Sequence, residues 1–527
     1  FPPPDGFQPL NTANTRPVKV ISRPDQYVGV TTYSGSTGTG TIKDDNINFT
    51  PDFVWVKDRG GTEVHALYDT VRGSTGGNFY RLSSNSTAGN NSPTNELTSM
   101  IRGGFTANNN GHIFSNGKNY VSWMWKAGGN SNTFNIDDVG YANASDVGMN
   151  AGGQNSNAYD QSQTWSTYGS GSSFNPAITT LFDNDLTTGP STPAGTTASW
   201  TFKNSITASK SIEIYCSNGS GAAGSQTSGT EIRLTVDGVV CGIDGSPGWI
   251  DTGLTGTLTE ITIHVTGGSG SPGLRAIRVD GKELVDAGVS VPNVPSVPNT
   301  GCSVGTKQGF SIVAYNATGS DLTVSHGLSK RPGLIILKSK NVSGDWLVWH
   351  QSLAGVDRFL KLNETITQTQ ASNVFLSVDE NTFGTGNDSG INSSNQEKLA
   401  YIWCDVPGLQ KFGTYEGNTS TPAFVNLGFR PAMIWIKAID QTWYWNIHDS
   451  KRSPINPTTG NFLRPDETFV EGVASGNNNI DFLSNGFKIR STTAQSEPTN
   501  VNGQTYIYCA WAEAPPFSLY GGQSNAR

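Results

Sequence analysis

The segments FTPDFVWVK (49–57), SKRPGLIILK (329–338) and GFRPAMIWIK (428–437) are three versions of one phrase. In each, a proline opens and a lysine closes: Pro51 and Lys57, Pro332 and Lys338, Pro431 and Lys437. Between them lies a short continuous apolar run, FVWV, LIIL or MIWI, rich in β-branched and aromatic residues. Such runs fit strands covered on both faces. A proline at the head of a strand costs no ladder hydrogen bond. Upstream of each phrase sits a Tyr-led turn (Tyr33, Tyr315, Tyr415), and downstream a turn ending in Phe (Phe105, Phe383, Phe487). An aromatic strand then follows: YVSWMW (120–125), YIWC (401–404) and YIYCAW (506–511). Four landmarks in fixed order and near-fixed spacing establish an internal repeat. Asn116-Gly117, Asn485-Gly486 and Asn502-Gly503 are hairpin turns between such strands. No segment reads as an amphipathic helix of several turns.

The copies are unevenly spaced. Pro332 and Pro431 are about 100 residues apart, but Pro51 and Pro332 about 280, so an insertion separates the first two copies. It opens with a Gly/Asn/Ser-rich connector and closes with VSVPNVPSVPNTG (289–301), whose spaced prolines predict a stiff, extended linker. Between them, SIEIYC (211–216), EIRLTVDG (231–238), TEITIHV (259–265) and AIRVDGKEL (276–284) alternate as half-buried strands. The expected fold is all-β: tandem antiparallel β-sandwiches of lectin or jelly-roll type. The expected order is an N-terminal connector (1–17), repeat 1 (18–129), a connector (130–158) and an inserted sandwich (159–288). A linker (289–304), repeat 2 (305–408) and repeat 3 (409–527) complete it.

Charged residues make up 14% of the 527, against roughly 25% in ordinary soluble domains. The polar surface is therefore built mainly from Ser, Thr, Asn and Gly. The net charge of −8 argues against nucleic acid as a partner. No apolar run reaches the length of a membrane-spanning helix. Five cysteines make no disulfide framework, and only Cys216 and Cys241 are candidates to pair.

Candidate chemistry is sparse. GCSVG (301–305) matches the nucleophile-elbow pattern, but no helix is expected after Ser303. His350 and His448 fall at related places in two repeats, whereas His65 is shifted and the matching position carries Asp69. They read either as an acid–base site or as strand-end histidines sealing a sandwich edge. In LFDNDLTTG (181–189), Asp183 and Asp185 stand two apart before a Thr pair. This resembles the D-x-D-x-x-T loop of galactose-binding-like jelly rolls and makes the loop a candidate for a structural calcium; an ordinary Asx-rich turn is the alternative. Most tryptophans lie in repeat strands and are expected in the core. Trp165 and Trp249 lie in polar, turn-rich surroundings, where an exposed indole is a platform for a sugar ring.

PPPDGFQPLNTAN (2–14), the FTPDFVWVK…HALYDTVRG block, DQSQTW (160–165), AIRVDGKELVDAGVSVPNVPS (276–296), DFLSNGFKIR (481–490) and SNAR (524–527) carry a family resemblance. The chain resembles large tail-fibre-like or appendage virion proteins of tailed phages infecting marine bacteria. The resemblance implies a virion-surface location after synthesis in the host bacterial cytoplasm, with other virion proteins as partners. It also implies a homo-oligomer, a trimer among the options, and a domain preceding Phe1. Three functions remain open. The first is a non-enzymatic appendage contacting host-surface glycans, the second a purely structural virion subunit. The third is a depolymerase, which would need a carboxylate pair in a groove; none recurs across the repeats.

Overall fold

A computed structural model describes residues 20–513, apart from 92–93, 130–131, 152–158, 161–162, 172–173, 194, 217–229, 244–247, 266–272, 288, 290–294, 458–460, 473–478 and 491–498. The expected 1–17 connector therefore lies outside the described residues, as do parts of the 130–158 connector and the 289–304 linker. The chain is all-β, in mostly antiparallel sheets, and divides into two compact units. The first holds residues 1–143, 299–322 and 326–527; the second holds 144–298 and 323–325. Among the described residues no helix is long and apolar enough to cross a membrane.

In the first unit each repeat contributes an inner sheet of identical strand order. In the first repeat the order is Val28–Ser34, Asn119–Trp125, Phe53–Asp58, Ala66–Asp69. The second runs Phe310–Asn316, Glu397–Trp403, Leu334–Ser339, Leu347–His350, and the third Gln410–Glu416, Thr505–Ala512, Pro431–Ala438, Asn446–Asp449. The Pro-led strand and the aromatic strand always pair in the same register: Phe53 with Trp125, Leu334 with Trp403, Met433 with Trp511. An outer layer covers one face of each inner sheet. It is Gly40–Lys43, Gly104–Ala107 and Leu97–Ile101 in the first repeat, and Phe424–Asn426, Gly486–Ile489 and Ile480–Leu483 in the third. In the second, Phe375–Val378 pairs with Thr382–Thr385. Val54, Val56, Tyr68, Phe105 and Met124 fill the first sandwich, and Ile434, Ile436, Phe482, Phe487 and Tyr508 the third.

The other face of each inner sheet meets the other two repeats, which is why both faces of FVWV, LIIL and MIWI are apolar. Trp125, Trp403 and Trp511 are register equivalents, and their ring centroids lie 5.6–6.0 Å apart in T-shaped contacts. All three are fully buried. Their indole N–H groups have no oxygen or nitrogen partner among the described residues. Edge-to-face packing sets the positive edge of one ring against the negative face of the next.

The seams between repeats obey the same threefold rule. His65, Trp346 and Trp445 are equivalent in register, each preceding its repeat's fourth inner strand or its paired residue. His65 Nε2 lies 2.9 Å from the Arg464 carbonyl, Trp346 Nε1 donates to Ser83 O at 2.9 Å, and Trp445 Nε1 donates to Lys361 O at 2.9 Å. Two residues past each repeat lysine, a carbonyl accepts from another repeat: Arg59 O from the Glu471 N–H (2.8 Å), Lys340 O from Asn90 (2.6 Å) and Ile439 O from Gln368 (2.7 Å). The first repeat thus clasps the second, the second the third, and the third the first.

The closing lysines are buried and spend their ammonium hydrogens on carbonyls. Lys57 donates to Asp58 O and Gly61 O, Lys338 to Thr87 O and Gly344 O, and Lys437 to Ala438 O, Gln441 O and Thr365 O. Burial lowers each of the three to about 8.

Two segments expected as connectors are partly strand. Phe134–Ile136 and Val139–Tyr141 form a hairpin, and Phe134–Ile136 runs parallel to Asn299–Gly305. Asn299–Gly305 in turn pairs with Phe310–Asn316, so the end of the expected linker belongs to the second repeat's sheet. Apolar Phe134, Cys302 and Val304 supply the burial that Gly and Asn richness had masked.

The second unit is a sandwich of five and four strands. The five-stranded sheet runs Gly169–Gly171, Thr197–Ala208, Gly256–Val265, Thr230–Val236, Val239–Ile243; the four-stranded sheet runs Gly248–Asp251, Ile212–Cys216, Leu274–Val279, Lys282–Glu283. Ile212, Ile214, Ile232, Leu234, Ile261, Ile263 and Ile277 fill the space between them. The alternate residues Glu213, Tyr215 and Arg278 are half-buried.

Candidate functional site

Trp165 is 3% exposed and belongs to the core of the second unit. Its ring packs against Tyr159, Tyr168 and Phe202 with centroids 5.8–6.1 Å away. This corrects the expectation of a sugar platform there. The polar residues around it in sequence are turn residues, and the indole is the apolar group that anchors the turn to the core.

Trp249 sits differently. It lies on the edge strand Gly248–Asp251 beside Tyr215, while its neighbour Ile250 packs against the sandwich core. The indole is half-buried, its centroid 5.4 Å from Tyr215, with the Arg278 guanidinium 3.6 Å over its ring. A cation over the indole face holds the ring in place. In register, Glu213 lies between Arg278 and Asp251, and Arg278 pairs with Glu283, their charged groups 3.7 Å apart. Burial raises Glu283, and Arg278 opposes that shift. An aromatic pair, a guanidinium and carboxylates thus share one sheet face. Chemically this combination offers a stacking surface with hydrogen-bond donors and acceptors at its rim. Tyr215 and Arg278 escaped notice in the sequence. The period of two in SIEIYC and AIRV, carried across the strand pairing, is the signal that places them beside Trp249.

Asp183 and Asp185 do lie together, on an exposed loop that closes on itself. Asp183 accepts the Asp185 N–H (2.9 Å), and Asp185 accepts the N–H and hydroxyl of Thr187 (2.8 and 2.6 Å). The Thr187 hydroxyl holds the Asp185 carboxyl below its usual range. Calcium takes about six to eight oxygens. No group of three or more His, Cys, Asp or Glu placed to hold a metal occurs among the described residues. Each carboxylate keeps acceptor sites beyond those the loop's own donors use, so a calcium ion held there would need its further oxygens from backbone carbonyls.

His350 and His448 are not equivalent. Asp69, His350 and Asp449 share one register position, whereas His448 aligns with Tyr68 and Trp349, so the two histidines point to opposite faces of their sheets. Both are fully buried. His350 Nε2 lies 3.2 Å from Tyr508 O and its Nδ1 accepts the Ser352 N–H at 3.1 Å. Burial lowers His350 to about 4 and His448 to about 3. Ser303 lies in mid-strand, not on an elbow. Its hydroxyl donates to Asp52 (3.1 Å) and accepts the Gly128 N–H (2.8 Å). All five cysteines are free thiols, including Cys216 and Cys241.

Fold and site together define a three-repeat β-sandwich protein with an inserted β-sandwich that carries a half-exposed aromatic face. The chain belongs to the DUF7483 family, a domain of unknown function, whose profile matches residues 23–178 and 285–515. The residues left unmatched between those spans lie inside the inserted unit. No curated protein matches the chain. Among solved structures, the arabinofuranosyltransferase AftD from Mycobacteria is similar at 11% identity, over 66% of this chain and 34% of that one. With a TM-score of 0.17, this likeness carries no argument about fold or activity.

Proposed function

We propose that this protein is a non-enzymatic virion-surface appendage of a tailed phage that contacts its bacterial host through surface glycans. The observation that carries the glycan part is the Trp249 face, where Tyr215, Arg278 and flanking carboxylates surround a half-buried indole. The virion part rests on the sequence resemblance. The non-enzymatic part is supported by the buried histidines, whose ring nitrogens meet backbone groups, meet the Trp55 indole N–H at His65 Nδ1, or, in His448, have no partner among the described residues. The three-repeat unit closes its Trp-rich faces within one chain.

The test is a comparison of wild type with Trp249→Ala on cells of candidate marine hosts. The reading predicts at least a ten-fold weaker binding of the variant, with its melting temperature unchanged. Equal binding would remove the Trp249 face from the account. One observation favours the second reading, a structural virion subunit: Val239 and Val240, 61% and 60% exposed, begin the edge strand Val239–Ile243. An exposed apolar edge suits strand addition by another virion protein.

A further inference from the structure

We infer that the cleft at the seam of the first and second repeats is a second binding site, for a short neutral saccharide. The cleft has a volume of about 460 Å³, within the roughly 300–1,000 Å³ range of small-molecule sites. Arg72, Tyr80 and Asn91 line it from the first repeat, and Lys340, Ser343 and Glu397 from the second.

Its walls are fixed by backbone. The Asn90 N–H donates to Lys340 O at 2.6 Å and the Gly344 N–H to Thr87 O at 2.8 Å. Gly89 approaches so closely that a Cβ there would stand 2.7 Å from Lys340 O. The frame therefore needs no ordering when a ligand enters, which spares one of the main costs of binding.

Charge decides the class of ligand. At the base of the cleft Arg72 is neutralised by Asp69, 2.5 Å away, and its remaining N–H groups reach Leu67 O, Tyr80 O, Asn90 and Tyr401. At the rim Lys340 pairs with Glu397 at 3.0 Å. Neither cation is left over for a phosphate, sulfate or carboxylate. Asn341 is spent on Asn395 O and the Glu397 N–H. What remains is the Asn91 amide, the Ser343 hydroxyl and the half-buried ring and phenol of Tyr80. A neutral amide, a hydroxyl and an aromatic surface in one polar cleft match the hydroxyls and the apolar face of a sugar.

This inference leans on the appendage reading only for where the saccharide comes from. Its test is an array of immobilised neutral and acidic glycans, probed with the full chain and Ser343→Trp. Ser343 is exposed, so a Trp there fills the cleft without touching the core. The expected result is binding to neutral glycans that falls at least ten-fold in Ser343→Trp. Asn91→Ala, also at an exposed position, keeps the test decisive should Ser343→Trp melt early; it should weaken the same spots several-fold. Binding confined to acidic glycans, binding unchanged in both cleft variants, or no glycan bound would each overturn the proposal. Periodate-sensitive cell binding unaffected by Ser343→Trp would overturn this site and leave the appendage reading standing. Cleft-dependent glycan binding with no cell binding would do the reverse.

Discussion

The phenol of Tyr401, in the second repeat, donates to the buried carboxylate of Asp69, in the first, at 2.7 Å. The equivalent residue of the first repeat, Trp123, donates through its indole to Asp449 of the third at 3.1 Å. The third side of the circle is His350 of the second repeat against Tyr508 O of the third. Asp69 and Asp449 each also hold an arginine three residues on, Arg72 and Arg452, at 2.5 and 2.6 Å, with both partners fully buried. A buried ion pair is tolerable only when its remaining donors and acceptors are largely met. Here carbonyls of the same repeat (Leu67 and Tyr80, Ile447) take the arginines' N–H groups, and the neighbouring repeat supplies Tyr401 and Trp123 to the carboxylates. Arg452 Nη1 has no partner among the described residues. Tyr401→Phe is expected to destabilise the protein by about 2 kcal/mol, the usual value of a hydrogen bond to a charged group. Urea unfolding measures it, and a change below ~0.5 kcal/mol would mean that the seam does not depend on this bond.

The axial tryptophans carry a second prediction. Trp125, Trp403 and Trp511 are each fully buried, so replacement of any one by Ala should cost about 3–5 kcal/mol. The three losses should be of similar size because the sites are equivalent in register. Denaturant midpoints of the three variants give the answer. A large loss at one position with negligible losses at the others would contradict a threefold core.

The closed circle of repeats was only half legible in the sequence. Proline, lysine and the aromatic strand announced three copies because an apolar run with a fixed head and tail survives in one dimension. That the copies close on one another depends on pairs such as Trp346 with Ser83, far apart in sequence and chemically unlike from seam to seam. His350 and His448 misled because they look alike. Counting twelve residues on from each closing lysine gives Asp69, His350 and Asp449, and that count would have separated them. Trp165 and Trp249 share a polar neighbourhood but differ in the direction of the side chain. On a strand the alternation about Ile250 resolves that direction; in the turn around Trp165 no periodicity does.

The inserted unit should be dispensable for folding of the three repeats. Tyr141 is paired with Phe134, and Phe134 with Cys302, so the two strands that flank the insertion end side by side, about two strand spacings apart (~10 Å). Replacing residues 144–298 by a short Gly-Ser linker should leave a protein that melts cooperatively with a β-type circular dichroism spectrum. A chain that aggregates or melts without a transition would show that the repeats need the insertion.

Acid should weaken the fold partly through His350. An unfolded histidine titrates near 6.5, and burial lowers His350 to about 4. Between those values the unfolded chain takes up a proton that the native state refuses. Stability is therefore undiminished above pH 6.5 and falls as the pH drops towards 4, by up to about 1.4 kcal/mol per unit. Protonation would also place a hydrogen on Nδ1, which accepts the Ser352 N–H. In His350→Gln this contribution should vanish. Unfolding free energies at pH 7, 6 and 5 should fall less steeply for the variant, by close to one proton. Parallel slopes would refute the assignment.

Binding of the labelled, folded chain to marine host cells, untreated and treated with periodate, tests the account most directly. The account predicts saturable binding to untreated cells and its loss after periodate has cleaved the surface sugars. A folded chain that binds neither sample would contradict it, and would leave a structural virion subunit as the better description.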